Sequence, residues 1–132
     1  MALVKRVSAG GKWEGLFGYS QAVAVGPLVM TSACGAAVDG RPDLVDDAGA
    51  QAKEAFRAAL DAMVRAGAGI GDVVRSRMYI TQPEHAEAVG LAHGELFGVV
   101  RPTATVVVVA RLTHPDQLVA VELEAFRGWR ED

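Results

Sequence analysis

The sequence contains a single cysteine, Cys34, which excludes an internal disulfide and fits a reducing compartment. Aromatic residues are scarce at 6%, so any core must rest on small and branched side chains, chiefly Ala, Val and Gly. There is no basic stripe. The formal net charge is −3 and the pI about 5.6, and the densest basic pair, Arg75 and Arg77, lies near Asp72. A nucleic-acid binder normally carries a basic stripe that neutralises phosphates, so its absence argues against a polynucleotide partner. No apolar run approaches the ~18–20 residues needed to span a bilayer, and the opening Met1-Ala-Leu-Val is followed at once by Lys5 and Arg6. These absences point to a cytoplasmic protein with no membrane partner. His85, His93 and His114 share no ligand-like spacing with one another or with Cys34, so no metal site is expected. Gly67, Gly69 and Gly71 precede a strand segment, whereas a dinucleotide fingerprint must follow a strand and open a helix.

What is present is two long apolar runs near the C-terminus, residues 102–112 and 118–126. The second contains Glu122 and Glu124. A strand apolar on both faces is normally central and covered. Two residues apart, the carboxylates point the same way, roughly 6–7 Å from one another along the strand. A charge in such a place is costly unless it is compensated. Either the carboxylates meet cations or water in a cleft, or they belong to a structural interface.

The 132 residues suffice for one domain, 1–132, able to bury a core of its own. Residues 3–8 read as an edge strand, and residues 13–18 as a loop. Residues 19–25 and 28–34, around Gly26-Pro27, read as a β-hairpin. Residues 35–47 form a loop. Asp46 or Asp47 then caps a helix to about Arg65, with Ala52, Phe56, Ala59, Leu60 and Met63 on one face. Val73–Ile80 is a strand. Thr81 and Glu84 form a capping box that opens a second helix, which ends at Phe97-Gly98. The two Val-rich strands complete an α+β order, with two helices on one face of a mixed sheet.

Glu122 and Glu124 are the first candidates for chemistry, either one as a carboxylate that positions or deprotonates a water. The alternative is an interface or surface pair satisfied by arginine. Arg75, Arg77 and Tyr79 share a strand face, and Arg77 is placed either for a salt bridge or for a two-point grip on a substrate carboxylate. His93, four residues from both Val89 and Phe97, falls on the apolar face of its helix, as a satisfied core residue or as a base. Cys34 reads as a small buried hydrophobe.

Several segments resemble the RidA/YjgF family, also called endoribonuclease L-PSP. They are Gly18-Tyr-Ser-Gln-Ala-Val-x-Val-Gly26, Val29-Met-Thr-Ser32, Gln51 with the helix ending Ala66-Gly67, Asp72-Val-Val-Arg-x-Arg-Met-Tyr-Ile80, Arg101-Pro102, Val108-Val-Ala-Arg-Leu112 and Val121-Glu-Leu-Glu-Ala125. The resemblance implies a chorismate-mutase-like fold and a homotrimer whose sheets form a barrel, with a small-molecule cleft between each pair of subunits. It implies hydrolysis of reactive imines or enamines such as 2-aminoacrylate, without a cofactor. Tyr19 and Ser32 match pocket-lining positions, and Glu122 matches the glutamate that orients water. The family's carboxylate-binding arginine falls at Ala104, beside Thr105. Arg101 has the opposite strand parity to Ala104, which favours Arg77 as the substitute cation.

Three functions remain: a hydrolase or deaminase of an imine, enamine or related carbonyl compound other than 2-aminoacrylate, a non-catalytic metabolite-binding or scaffold trimer, and a ribonuclease. The acidic pI and the lack of paired histidines place the ribonuclease last.

Overall fold

The computed structural model describes residues 3–38, 41–42 and 46–128. A six-stranded sheet carries the fold, built from β1 (Val4–Val7), β2 (Ala22–Val25), β3 (Leu28–Thr31), β6 (Val73–Ile80), β7 (Thr103–Val108) and β8 (Val119–Phe126). A separate two-stranded ribbon pairs β4 (Ala37–Val38) with β5 (Arg41–Pro42). The helices are α1 (Lys12–Phe17), α2 (Ala48–Ala66) and α3 (Ala86–Phe97). In space the sheet runs β1-β2-β3-β8-β6-β7, and only β6 and β7 are parallel. That parallel pair requires a crossover, which α3 supplies.

Alanine explains how α2 lies so close to the sheet. Ala52, Ala55, Ala59 and Ala66 are fully buried along one face, with Phe56 and Met63 filling the space between. Facing them from β8 are Val119, Val121, Leu123 and Ala125, all buried. Asp47 caps α2 through its Oδ1, which accepts from Ala50 N at 3.0 Å. At the other end Gly67 takes the left-handed conformation (φ 101°), and Ala68 N donates to Met63 O at 2.9 Å. Buried Gln51 ties the helix to the approach of β8. Its Oε1 accepts from Leu118 N at 2.8 Å and its Nε2 donates to Asp116 O at 3.0 Å.

Three local readings change. Residues 12–17 form a short helix rather than a loop. The loop read at 35–47 contains the β4–β5 ribbon, while its residues 39–40 and 43–45 lie outside the described ones. The Thr81–Glu84 capping box does not form. Pro83–His85 make a single 3-10 turn after Gln82, and no side chain caps it. Proline fixes that turn because its missing N–H costs nothing at a helix start. Past α3 the turn winds on to Arg101, whose N–H reaches Phe97 O at 2.8 Å and whose φ of 55° takes the left-handed role usually left to glycine. Among the described residues no helix is long and apolar enough to cross a membrane.

Candidate functional site

The helices cover one face of the sheet and leave the other uncovered. On β8 the alternation sends Val119, Val121, Leu123 and Ala125 to the helices and Glu122 and Glu124 to the uncovered face. On β6, Ser76, Met78 and Ile80 face the helices, whereas Arg75, Arg77 and Tyr79 stand beside the glutamates. Register then matches charges, with Arg77 opposite Glu122 and Arg75 opposite Glu124.

The result is a compact polar cluster. Arg77 Nη1 donates to Glu122 Oε1 at 3.3 Å and to Glu124 Oε1 at 3.2 Å. Arg75 Nε lies 3.7 Å from Glu124 Oε2. The Tyr79 hydroxyl donates to Glu122 Oε1 at 2.5 Å. This bond to a carboxylate, followed by burial, raises the Tyr79 pKa above its ordinary value. Glu122 Oε2 has no protein partner among the described residues. One oxygen is thus fixed by two donors while the other is open to a ligand or a water.

Ser32 and Tyr19 reach the same region. The β3–β8 register, Leu28 with Phe126 and Met30 with Glu124, carried two residues further brings Ser32 level with Glu122. Thr31 Oγ1 accepts from Leu123 N at 3.1 Å, and Cys34 then pairs with Val121 one residue out of step. Ser32 Oγ donates to Ser20 O at 2.6 Å, which seats Tyr19 next to this end of the sheet. Thr105 is the register partner of Arg77 and shares its face. Of the residues picked from the sequence, register places Arg77, Thr105 and Glu122 on one face, while Tyr19 and Ser32 lie on the chain segments that flank this end of the sheet.

His93 and Ala104 fall elsewhere. Ala104 pairs with Ser76, on the helix side of β7. His93 Nε2 lies 2.7 Å from the fully buried Ser76 Oγ, and its ring packs against Phe56 and Phe97. Burial lowers the His93 pKa. Strand parity does not separate Arg77 from Arg101 as substitutes for a cation at position 104. Arg77 is itself on the face opposite Ala104, and Arg101 lies outside β7 in a left-handed turn.

Arg75, Tyr79 and Glu124 complete the cluster, Glu124 being the second of the two carboxylates read from the sequence and bound here by both arginines. Their signal was the period of two shared by positions 75, 77 and 79 and by 122 and 124. Cys34 is buried, and desolvation, partly offset by the Gln21 amide 2.8 Å from its sulfur, pushes the thiol up to about 11. A cavity of about 510 Å³ lies between α2 and α3, lined by Lys53, Leu60, Asp61, Glu95 and Leu96. It holds none of the residues singled out above. Among the described residues no group of three or more His, Cys, Asp or Glu side chains is placed to hold a metal ion.

Known proteins share this fold. A protein of Streptomyces coelicolor, itself uncharacterized, is 40% identical over 129 residues, covering 95% of this chain and 93% of its own. The crystal structure of Rv2704 from Mycobacterium tuberculosis, a member of the YjgF/YER057c/UK114 family, superposes with a TM-score of 0.85 at 36% identity, covering 94% of this chain and 99% of the other. E. coli TdcF with bound serine gives a TM-score of 0.77 at 25% identity, covering 93% and 94%. The family model of endoribonuclease L-PSP matches residues 13–126, and the chain belongs to that family, the YjgF/RidA group.

Proposed function

We propose that this protein is a homotrimer that takes small carbonyl-derived metabolites into clefts between subunits and hydrolyses an imine or enamine other than 2-aminoacrylate. The observation that carries this reading is the state of Glu122. Its Oε1 is held by Arg77 and Tyr79 while its Oε2 has no protein partner among the described residues, on the uncovered face of the sheet. A carboxylate fixed this way can accept a proton from a water. The water oxygen bonds to the imine carbon and the proton is returned to nitrogen, giving a carbinolamine; the remaining hydroxyl proton then passes to the amine as the carbonyl forms, the carbon–nitrogen bond breaks and ammonia leaves. The serine bound to TdcF supports a small, amino-acid-like ligand by analogy.

Trimerisation is supported by β7, an edge strand whose Val106, Val107 and Val108 are 37–50% exposed. An exposed valine edge of this length invites pairing or cover. The exclusion of 2-aminoacrylate rests on Ala104, which offers no charge for a carboxylate, and on Arg77, which is already engaged by two glutamates. These same two facts favour the second reading, a trimer that binds a metabolite without turning it over.

The test is an assay of freshly generated imines of varied 2-oxo acids, following carbonyl release with wild-type protein and Glu122→Gln. Turnover that vanishes in the variant supports the hydrolase. Binding without turnover in both supports the second reading.

A further inference from the structure

Around the open oxygen of Glu122 most hydroxyl protons are already given away. The Tyr79 hydroxyl donates to Glu122 Oε1, and Thr103 Oγ1 donates to Val74 O at 3.0 Å. On the segment that flanks this end of the sheet, Ser32 Oγ donates to Ser20 O at 2.6 Å. A hydroxyl has one proton and two lone pairs, so each of these oxygens can still accept a hydrogen bond but has none left to donate. Glu122 Oε2, without a protein partner among the described residues, is an acceptor outright. Thr105 is the exception, since its hydroxyl has no partner among the described residues and can turn either way.

Charge points in the same direction. Arg75 and Arg77 are the cations of the cluster, and Glu122 and Glu124 match them one for one. The guanidiniums keep N–H groups to spare, but an incoming carboxylate would be a third anion for two cations. It would also have to approach Glu122 to bring a reacting carbon to the open oxygen. An incoming cation meets the opposite situation, because Oε2 offers it a charge-assisted hydrogen bond. Other arginines do not alter this count. Arg6 shares the uncovered face from β1, three strands away from β8, and Arg101 stands outside β7, two residues before Thr103.

We propose that the site takes its substrate by the nitrogen, and that the substrate is the protonated imine of a small aldehyde or ketone that carries no carboxylate. One N–H meets the Tyr79 oxygen, and the positive charge lies against Glu122, whose Oε2 also holds the water. Of the two charged ends of an amino-acid-like ligand, this cluster reads the amine and not the acid. The assignment rests on the hydrolase reading above and names its substrate class. Water supplies the carbonyl oxygen, both of its hydrogens go to nitrogen, and the nitrogen leaves as ammonium.

Two imines that differ only in the carboxylate test this on the full chain. One is the imine of isovaleraldehyde, generated from isoamylamine by a flavin amine oxidase. The other is the imine of the corresponding 2-oxo acid, generated from leucine by a flavin amino-acid oxidase, and hydrolysis of both is read by competition with semicarbazide. The carboxylate-free imine is expected to give a kcat/KM at least tenfold higher. By calorimetry, isoamylammonium is expected to bind at least tenfold more tightly than isovalerate, and Glu122→Gln to remove that preference. Equal or faster turnover of the leucine-derived imine overturns the assignment while the hydrolase stands. Turnover of neither imine overturns the hydrolase. In that case tighter binding of the ammonium still supports the assigned ligand class, and equal or tighter binding of isovalerate overturns it. A preference for the ammonium that survives Glu122→Gln places the cation elsewhere and also overturns the assignment. No turnover and no binding of either probe at millimolar concentration overturns both readings.

Discussion

Arg77 and Glu122 are register partners across β6 and β8, with Nη1 3.3 Å from Oε1, and the same Nη1 also reaches Glu124. One guanidinium therefore holds two carboxylates that stand on one face of a strand. The Arg77 and Glu122 side chains are 34% and 25% exposed, so solvent screens the pair and the interaction energy is modest. A double-mutant cycle of Arg77→Ala and Glu122→Gln is expected to give a coupling of about 1 kcal/mol by denaturant unfolding. Coupling below the error of the measurement would mean that the pair does not persist in solution.

Glu124 meets Arg75 as well as Arg77, whereas Glu122 meets one arginine and a tyrosine. Glu124→Gln should therefore lower the melting temperature more than Glu122→Gln, the larger shift being about 3–6 °C for a loss near 1 kcal/mol. The reverse order would make Glu122 the structural member and remove the basis for the catalytic role proposed for it.

Tyr79 ionises above its ordinary value because its hydroxyl donates to the Glu122 carboxylate. A raised pKa in the folded state means that the unfolded chain releases this proton first. The Tyr79 contribution to stability is complete below about pH 10 and is lost as the pH rises through the folded-state pKa. Ultraviolet titration should show Tyr79 ionising late, and Glu122→Gln should move that transition downward. An unmoved transition would place the hydroxyl away from Glu122.

For His93 the sign is opposite. Burial lowers its pKa, so the unfolded chain takes up the proton first, and stability should begin to fall as the pH drops below about 6.5, continuing until the folded-state pKa is reached. His93→Gln, which can keep a hydrogen bond to Ser76, should flatten stability between pH 7 and pH 5. An identical slope in the variant would assign the acid sensitivity elsewhere.

Much of the fold was legible because its signals are local or periodic. The continuous apolar run over 118–126 located β8, and an aspartate cap at 46 or 47 with Ala52, Phe56, Ala59, Leu60 and Met63 at helical spacing located α2. Alternation also put Glu122, Glu124, Arg75, Arg77 and Tyr79 on two strand faces, but only strand order and register could show that these faces are the same one. The position of Ala104 relative to Arg77 depends on how β7 registers with β6, which no local signal encodes. Helix α1 escaped because Lys12–Phe17 contains Gly15 and buries nothing, so it shows no amphipathic stripe. Thr81 and Glu84 had the right spacing for a capping box, but Pro83 between them imposes a 3-10 turn.

Cys34 is expected to be slow to alkylate. Its thiol is buried and pushed up to about 11 by desolvation, so little thiolate exists at pH 8. Iodoacetamide should modify native protein at least tenfold more slowly than protein unfolded in guanidinium chloride, as read by intact mass. Equal rates would mean that the Cys34–Val121 bridge opens readily.

The last prediction concerns the edge of the sheet. In β7 all six residues are exposed, with Val106 and Val108 on the helix side and Val107 on the face shared with Tyr79. Neither α2 nor α3 covers this strand, and an uncovered, flat, apolar edge is a liability for a chain that is alone in solution. The opposite end of the uncovered face adds Val4, Val25, Met30 and Phe126, each 38–47% exposed. Three copies that turn the uncovered faces toward one another would cover Val107 together with Val4, Val25, Met30 and Phe126, so sedimentation equilibrium is expected to give three times the 13.8 kDa chain mass. Val107→Lys should shift the distribution toward smaller species, since the charge would be carried into the shared interior at a cost of several kcal/mol. A monomeric wild type at micromolar concentration would end the trimer reading, and an unaltered trimer in Val107→Lys would place the subunit contact away from this face of β7.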